Sequence, residues 1–284
     1  MRRVIGLTEA GVLNLDSSLG KLDTRTSKSE LRGMAIIAGK LGVAKTEVLA
    51  FVEATDKLTV ALGDELGNAD QITTQLGKIL NVFDGKVTGD NITTLGNAMV
   101  KLANDGVASA GFIADFTQRV SGIAKTAGMS LPATLAIGAG IEELGGRSES
   151  AATAMQKLLL SISSDTPKAA KIAGMSLKDY TKLLADGPEQ ALLKYTRGLV
   201  ANKNAFSEVT KSLDDAGEEG ARTIETITKL GQNFEFFSGK INDASYAITG
   251  YNEINEAFNL KNQTLGAQVD KLGKDFNSLG NNKT

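Results

Sequence analysis

The run Ala127-Gly128-Met129-Ser130-Leu131-Pro132 reads as the end of one helix and the start of the next. Glycine at 128 takes the left-handed backbone that closes a helix. Met129, just past it, folds its apolar side chain back onto the last turn. The Ser130 hydroxyl caps the following helix. Pro132 falls in its first turn, where a missing N–H costs nothing. The unit recurs at Ala173-Gly174-Met175-Ser176-Leu177, and a looser copy stands at Leu41-Gly42-Val43-Ala44-Lys45. That copy lacks the capping hydroxyl unless Thr46 supplies it. Corners built on Gly42, Gly128 and Gly174 describe stacked helical hairpins.

The prolines agree. There are three in the chain, Pro132, Pro167 and Pro188, placed after Ser130, Thr166 and Asp186, where helices would begin. At 284 residues and 42% hydrophobic, the chain can bury a sizeable core. It holds no histidine and no cysteine, which excludes disulfides, thiolate or imidazole metal sites and every catalytic triad or dyad that needs either residue. Net charge is −2 with both signs well mixed, so no basic face and no specific nucleic-acid binding are expected. Tryptophan is absent and aromatics are 5%, which weakens any case for base stacking. No cofactor is implied.

Along the chain, Met1 to Ser29 carries little pattern. Arg25 to Glu30 reads as a turn into a capped helix, and helical stripes follow over Leu31–Lys40, Val48 to near Gly63, Ala69–Phe83 and Asn91–Leu102. Ile72-Thr73-Thr74 and Leu76-Gly77 are echoed by Ile92-Thr93-Thr94 and Leu95-Gly96. Phe112–Ala127 runs into the opening corner, and the helix beyond it is lined by Ala133, Ala136, Gly138, Ala139 and Gly140. Small residues there permit close helix approach, at up to ~1 kcal/mol per glycine in propensity. Helices over Ala151–Ile162, from Pro167 to Gly174, Leu177–Leu184 and Glu189–Val200 complete the first region.

After about Ala205 the apolar spacing changes. Leu230, Phe234, Phe237, Ile241, Ala244, Ile248 and Tyr251 are separated by 4, 3, 4, 3, 4 and 3 residues. Phe258 follows, and Leu265, Val269, Leu272, Phe276 and Leu279 resume the 4, 3, 4, 3 spacing. A mean period near 3.5 marks a coiled-coil seam for self-association. One helix spanning it would reach ~75 Å, with a stutter or kink at Ile254 to Leu260. The alternative is a hairpin folded back on the bundle. On the seam reading, Ile241→Asp with Ile248→Asp leaves a folded monomer. The expected architecture is all-α: a globular core of helical hairpins over residues 1–205, then a long, coiled-coil-like helical region over 206–284.

Candidate chemistry is sparse. Gly33 to Lys40 resembles a phosphate loop, but five residues separate Gly33 from Gly39 and Leu41 stands where Ser or Thr should hold Mg²⁺. Gly138-Ala139-Gly140 has no strand before it. The pairs Glu142-Glu143, Asp214-Asp215 and Glu218-Glu219 point about 100° apart on a helix and do not converge, so a solvated face explains them. Asp84 to Asp90 lacks calcium-loop spacing.

Several segments together resemble phage tail tape measure proteins. They are Asp23 to Ser27, Leu41 to Ala44 running through Phe51 to Leu58, and Val60 to Gly67. Further on come Phe116 to Ala124, Gly174-Met175-Ser176 with Leu183-Leu184, Ala191-Leu192-Leu193, and Phe258 to Leu265. Their order over roughly residues 20 to 280 carries the likeness. The resemblance implies a helical virion protein, in several copies inside the growing tail tube, that sets tail length and leaves ahead of the DNA at ejection. It implies the tail tube protein, tail assembly proteins and further copies of itself as partners, contact with the host envelope during infection, and residence in the host cytoplasm during assembly. Family members are usually much longer than 284 residues, so a fragment or truncated product is expected, with the ruler stretch outside it. Two other classes fit the residues: a membrane-active, pore-forming helical protein, motivated by Leu131 to Ile141, and a cytosolic helical scaffold.

Overall fold

The computed structural model describes residues 2–83, 85–214, 217–250 and 252–281. A π-helical turn at Arg2–Gly6 precedes α1 (Glu9–Gly20), α2 (Lys28–Lys40), α3 (Val48–Leu66), α4 (Ala69–Phe83) and α5 (Gly89–Asn104). Then come α6 (Ala110–Thr126), α7 (Leu131–Glu143), α8 (Ser148–Ser164), α9 (Thr166–Ile172), α10 (Leu177–Asp186) and α11 (Pro188–Ala201). The chain finishes with α12 (Lys203–Asp214), α13 (Gly217–Gln232), α14 (Phe234–Gly250), α15 (Glu253–Asn262) and α16 (Leu265–Asn281). No strand occurs among the described residues, and the fold is all-α as expected.

The corners form as their residues dictate. Gly42, Gly128 and Gly174 have φ of 80°, 80° and 70°. At each, the amide of the following residue returns to the last turn: Val43 to Ala38 O at 3.0 Å, Met129 to Ala124 O at 2.9 Å and Met175 to Ala170 O at 3.0 Å. Together with the glycine amides this is the Schellman closure. A fourth closure, at Gly145 and Gly146, has Gly146 N–H donating to Ile141 O at 2.8 Å; the sequence reading passed over it. Ser130 and Ser176 cap their helices as expected. Elsewhere the expectation is corrected. Thr46 caps nothing, and α3 starts after Glu47 without a side-chain cap. Helix α9 starts at Thr166 with Asp165 as its cap, and α11 starts after Gly187 without a side-chain cap. Helix α1, capped by Thr8, lies where no element was expected.

The chain divides into two compact units, residues Met1–Val100 with Ala247–Thr284 and residues Lys101–Tyr246. In the first, α2 packs against α3 and α4, and α15 lies along α3. Leu31, Met34, Val48, Phe51, Leu58, Ile72, Leu76 and Ile79 are buried at its centre. The echoed Leu-Gly pairs serve equivalent purposes. Leu76 and Leu95 are buried, while Leu41 sits over Gly77 and Ile254 over Gly96. Asp16 of α1 ties Arg32 and Lys28 of α2, and its carboxyl is lowered to about 2, chiefly by the Arg32 hydrogen bond.

In the second unit, α6 packs against α7 and α8, and α13 packs against α8 and α11. Every residue of α7 from Leu131 to Ile141 is buried. A β-carbon at Gly138 would lie 2.7 Å from the Phe116 ring, and one at Gly140 would lie 2.5 Å from that of Phe237. Each glycine costs about 1 kcal/mol of helix propensity. Each seats an aromatic ring whose burial contributes about 1.5–3 kcal/mol. The packing term outweighs the propensity term.

The C-terminal segment differs from the single ~75 Å helix. It is divided among α13, α14, α15 and α16, with breaks at Asn233, near Asn252 and at Gln263–Thr264. Ile254 to Leu260, expected as the irregular stretch, is inside α15. Residues 206–246 belong to the second unit and 247–284 to the first. The physical reason is burial: Leu230, Phe237, Ile241 and Ala244 are buried, with Phe237 against Gly140 of α7, and Ile254 and Phe258 are buried, with Ile254 against Gly96 of α5. An aspartate at Ile241, which is buried, is therefore expected to destabilise the fold.

The glycine packing gives a sign test. Gly138→Ala is expected to destabilise by about 1–3 kcal/mol through overpacking against Phe116. Gly122→Ala, on α6 with open space where the methyl would go, is expected to stabilise by about 0.5–1 kcal/mol. Urea unfolding of the two variants measures both, and equal signs would refute the packing account.

Candidate functional site

The acidic pairs are not the solvated face expected of them where they fall on α7. The Glu142 carboxylate accepts from the Ser109 amide at 2.8 Å and from its hydroxyl at 2.9 Å, while the Ser109 hydroxyl accepts from Phe112 N–H. Glu142 thereby anchors the start of α6. Glu143 pairs with Lys240 of α14 at 2.7 Å, with both side chains about nine-tenths covered (11% and 12% exposed). Lys240 also stands over the Phe236 ring at 5.2 Å. In the other pairs, Glu218 bonds Arg222 one turn on. Asp215 and the Glu219 side chain lie outside the described residues, as does Asp84 of the glycine-containing loop. Gly33 to Lys40 and Gly138 to Gly140 are interior to α2 and α7, so neither forms a phosphate-binding turn.

The first unit holds a polar centre that the sequence reading missed. Asp56 is 2% exposed on α3, and its Oδ1 has no hydrogen-bond partner. Burial pushes its carboxyl up from 3.8, against the opposing pull of Thr26, Thr24 and Lys274. Residues 22 to 27 form a strap beside it. Asn262 fastens the strap from both sides, accepting from Arg25 N–H at 3.1 Å and donating to Asp23 O at 3.0 Å. A cleft of about 620 Å³ opens next to the strap, lined by Arg25, Glu30, Thr59, Asp270 and Lys274 among others. The signal was available: Asp56 is one turn on from Val52, on the apolar stripe of α3.

In the second unit a cleft of about 680 Å³ is lined by Lys194, Arg197 and Lys203. Phe234, expected in the seam, lies under Lys194 at 5.5 Å and Arg197 at 5.1 Å. The remaining seam positions separate. Leu230, Phe237 and Ile241 are buried in the second unit, Ile248 is half-buried, and Phe258 is buried in the first. Leu265, Val269 and Leu272 are 83%, 60% and 58% exposed. Tyr251 and the side chains of Phe276 and Leu279 lie outside the described residues. Of the corner residues, Met129 is buried and Met175 half-exposed.

Among the described residues no group of three or more His, Cys, Asp or Glu could hold a metal ion. No helix among them is long and apolar enough to cross a membrane. The small-residue helix that motivated a membrane-active reading is α7, which is covered on every side within its unit.

Caps, a buried ion pair and a fastened strap all serve to hold helices together in an all-α protein. The chain belongs to the phage-related minor tail protein family, whose sequence profile matches residues 15–227. That range holds α2 through α12 whole, and membership gives the chain a structural role in a phage tail. Comparison with curated proteins and with solved structures gives no match.

Two predictions concern the buried charges. Lys240→Met strands Glu143 and is expected to cost about 3 kcal/mol, while adding Glu143→Leu recovers most of the loss; a double-mutant cycle by urea unfolding checks this. For Asp56, the folded state holds the proton more tightly than the unfolded chain. Its stabilising contribution is complete below the unfolded pKa and is lost as pH rises through the folded value. Asp56→Asn removes that dependence, so the wild type should lose stability relative to this variant over the range in which pH rises above the ordinary carboxylate value of about 4. A constant difference across that range would contradict the assignment.

Proposed function

We propose that this tail protein is a tape measure that sets tail-tube length during assembly and leaves the tube at DNA ejection. The observation that carries the reading is the family match over residues 15–227, combined with the ordered resemblance from Asp23 to Leu265. The all-α structure suits it, because a helix has a fixed rise of about 1.5 Å per residue and so converts chain length into distance. Fully helical, 284 residues correspond to at most ~430 Å, and folding into compact units shortens that. The two units serve as the globular part of the tape measure.

On this reading the chain lies inside the virion tail, after a period in the host cytoplasm during assembly. Its partners are the tail tube protein, the tail assembly proteins and further copies of itself. Of the self-association seam, Leu265, Val269 and Leu272 are the described positions open to another chain.

A nonsense mutation early in the gene tests the proposal by electron microscopy of the particles produced. A tape measure predicts no tubes, or tubes of scattered length. Tails of normal, uniform length with only the tip or fibres altered would assign the chain to another minor tail component.

A further inference from the structure

Helix α16 is mounted on the first unit by its polar side. At about 100° per residue, Ala267, Asp270, Lys271 and Lys274 share one side and Leu265, Val269 and Leu272 the opposite one. The polar side faces the unit: Ala267 is buried, Arg25 Nη2 lies 2.7 Å from Asp270 Oδ2, and Lys271 Nζ lies 2.7 Å from Asp23 Oδ1. Lys274 Nζ donates to the carbonyls of Leu22 at 2.8 Å and Thr24 at 3.5 Å. All four strap residues fall within 22–25. An amphipathic helix docking for stability would bury its apolar row; this one turns that row outward.

Its neighbour is held differently. Helix α15 buries Ile254 and Phe258 and packs along α3. The chain leaves helical geometry at Gln263–Thr264, and the Thr264 hydroxyl then caps α16 by accepting from Ala267 N–H at 3.2 Å. Two successive helices thus meet the same unit differently, α15 through apolar burial and the neutral hydrogen bonds of buried Asn262, α16 through charged side chains, with a break between them.

We propose that α16 is a salt-released arm, clasped to the strap at residues 22–25 by ionic contacts and free to undock about Gln263–Thr264 while α15 stays. The Arg25–Asp270 pair is 40% and 44% exposed, so mobile ions reach it. The screening length falls from about 10 Å at 0.1 M to about 3 Å at 1 M ionic strength, which weakens the clasp. The apolar burial that holds α15 is not weakened by salt. Once undocked, α16 carries Gly266 and Gly273 and loses its tertiary support. Isolated helices near this length are marginal in water, so release melts it. The clasp is independent of whether the chain measures tails.

Hydrogen exchange of the full chain, from low salt to about 1 M NaCl, reads the release directly. Amides of α16 should lose protection by about tenfold or more, while those of α15 keep theirs. Asp270→Lys with Lys271→Glu should release α16 at low salt. Adding Arg25→Glu with Asp23→Lys should restore protection by reversing the clasp. The proposal is overturned if α16 protection is indifferent to salt, if α15 and α16 lose protection together, or if the reversed pairs fail to restore it.

Discussion

The close approach of side chains to α7 is the constraint on which the second unit depends. A thirteen-residue helix with no charged residue before Glu142 has no solvated face to offer, so it must be covered all round. Its glycines make that possible by admitting rings where a β-carbon would collide, with Phe116 of α6 over Gly138 and Phe237 of α14 over Gly140. The same contacts explain why α14 folds onto this unit. Phe237 and Ile241 have a prepared surface within their own chain, and an intramolecular contact avoids the translational entropy that association with another copy must lose.

Polar groups perform the complementary task of fixing register. Apolar attraction is non-directional, so beyond the two rings seated on Gly138 and Gly140 it does little to specify how α6, α7 and α14 slide along one another. Glu142 pins the start of α6 through Ser109, and Glu143 pins α14 through Lys240. In the first unit Asn262 does this for the strap, with a hydrogen bond in each direction. Asp56 differs: its buried Oδ1 is unsatisfied, and burial pushes its carboxyl up. These groups are architectural, consistent with a structural protein of a phage tail.

Much of the fold was legible because its signals are local. Gly128 with Met129 and Ser130 closes one helix and opens the next through bonds spanning no more than six residues, so six letters suffice to predict the corner. Pro132, Pro167 and Pro188 mark first turns for the same reason. Ala69–Phe83 was readable to the residue, since its apolar stripe ends where the chain turns. Helix α1 was missed because only Leu19 of its twelve residues is buried, leaving no stripe to read.

By itself the sequence determined most helices before Ala205, the caps at Ser130 and Ser176, the corners at Gly42, Gly128 and Gly174 and the absence of thiol and imidazole chemistry, because each depends on residue type or on neighbours within a turn. Only the tertiary structure decided where those helices go. The 3.5-residue spacing from Leu230 to Leu272 is satisfied equally by a partner chain or by the chain's own helices, and periodicity carries no information about which surface covers it. The same holds for Glu142 and Glu143: adjacency in sequence said that they point apart, and only the fold brought Ser109 to one and Lys240, ninety-seven residues away, to the other.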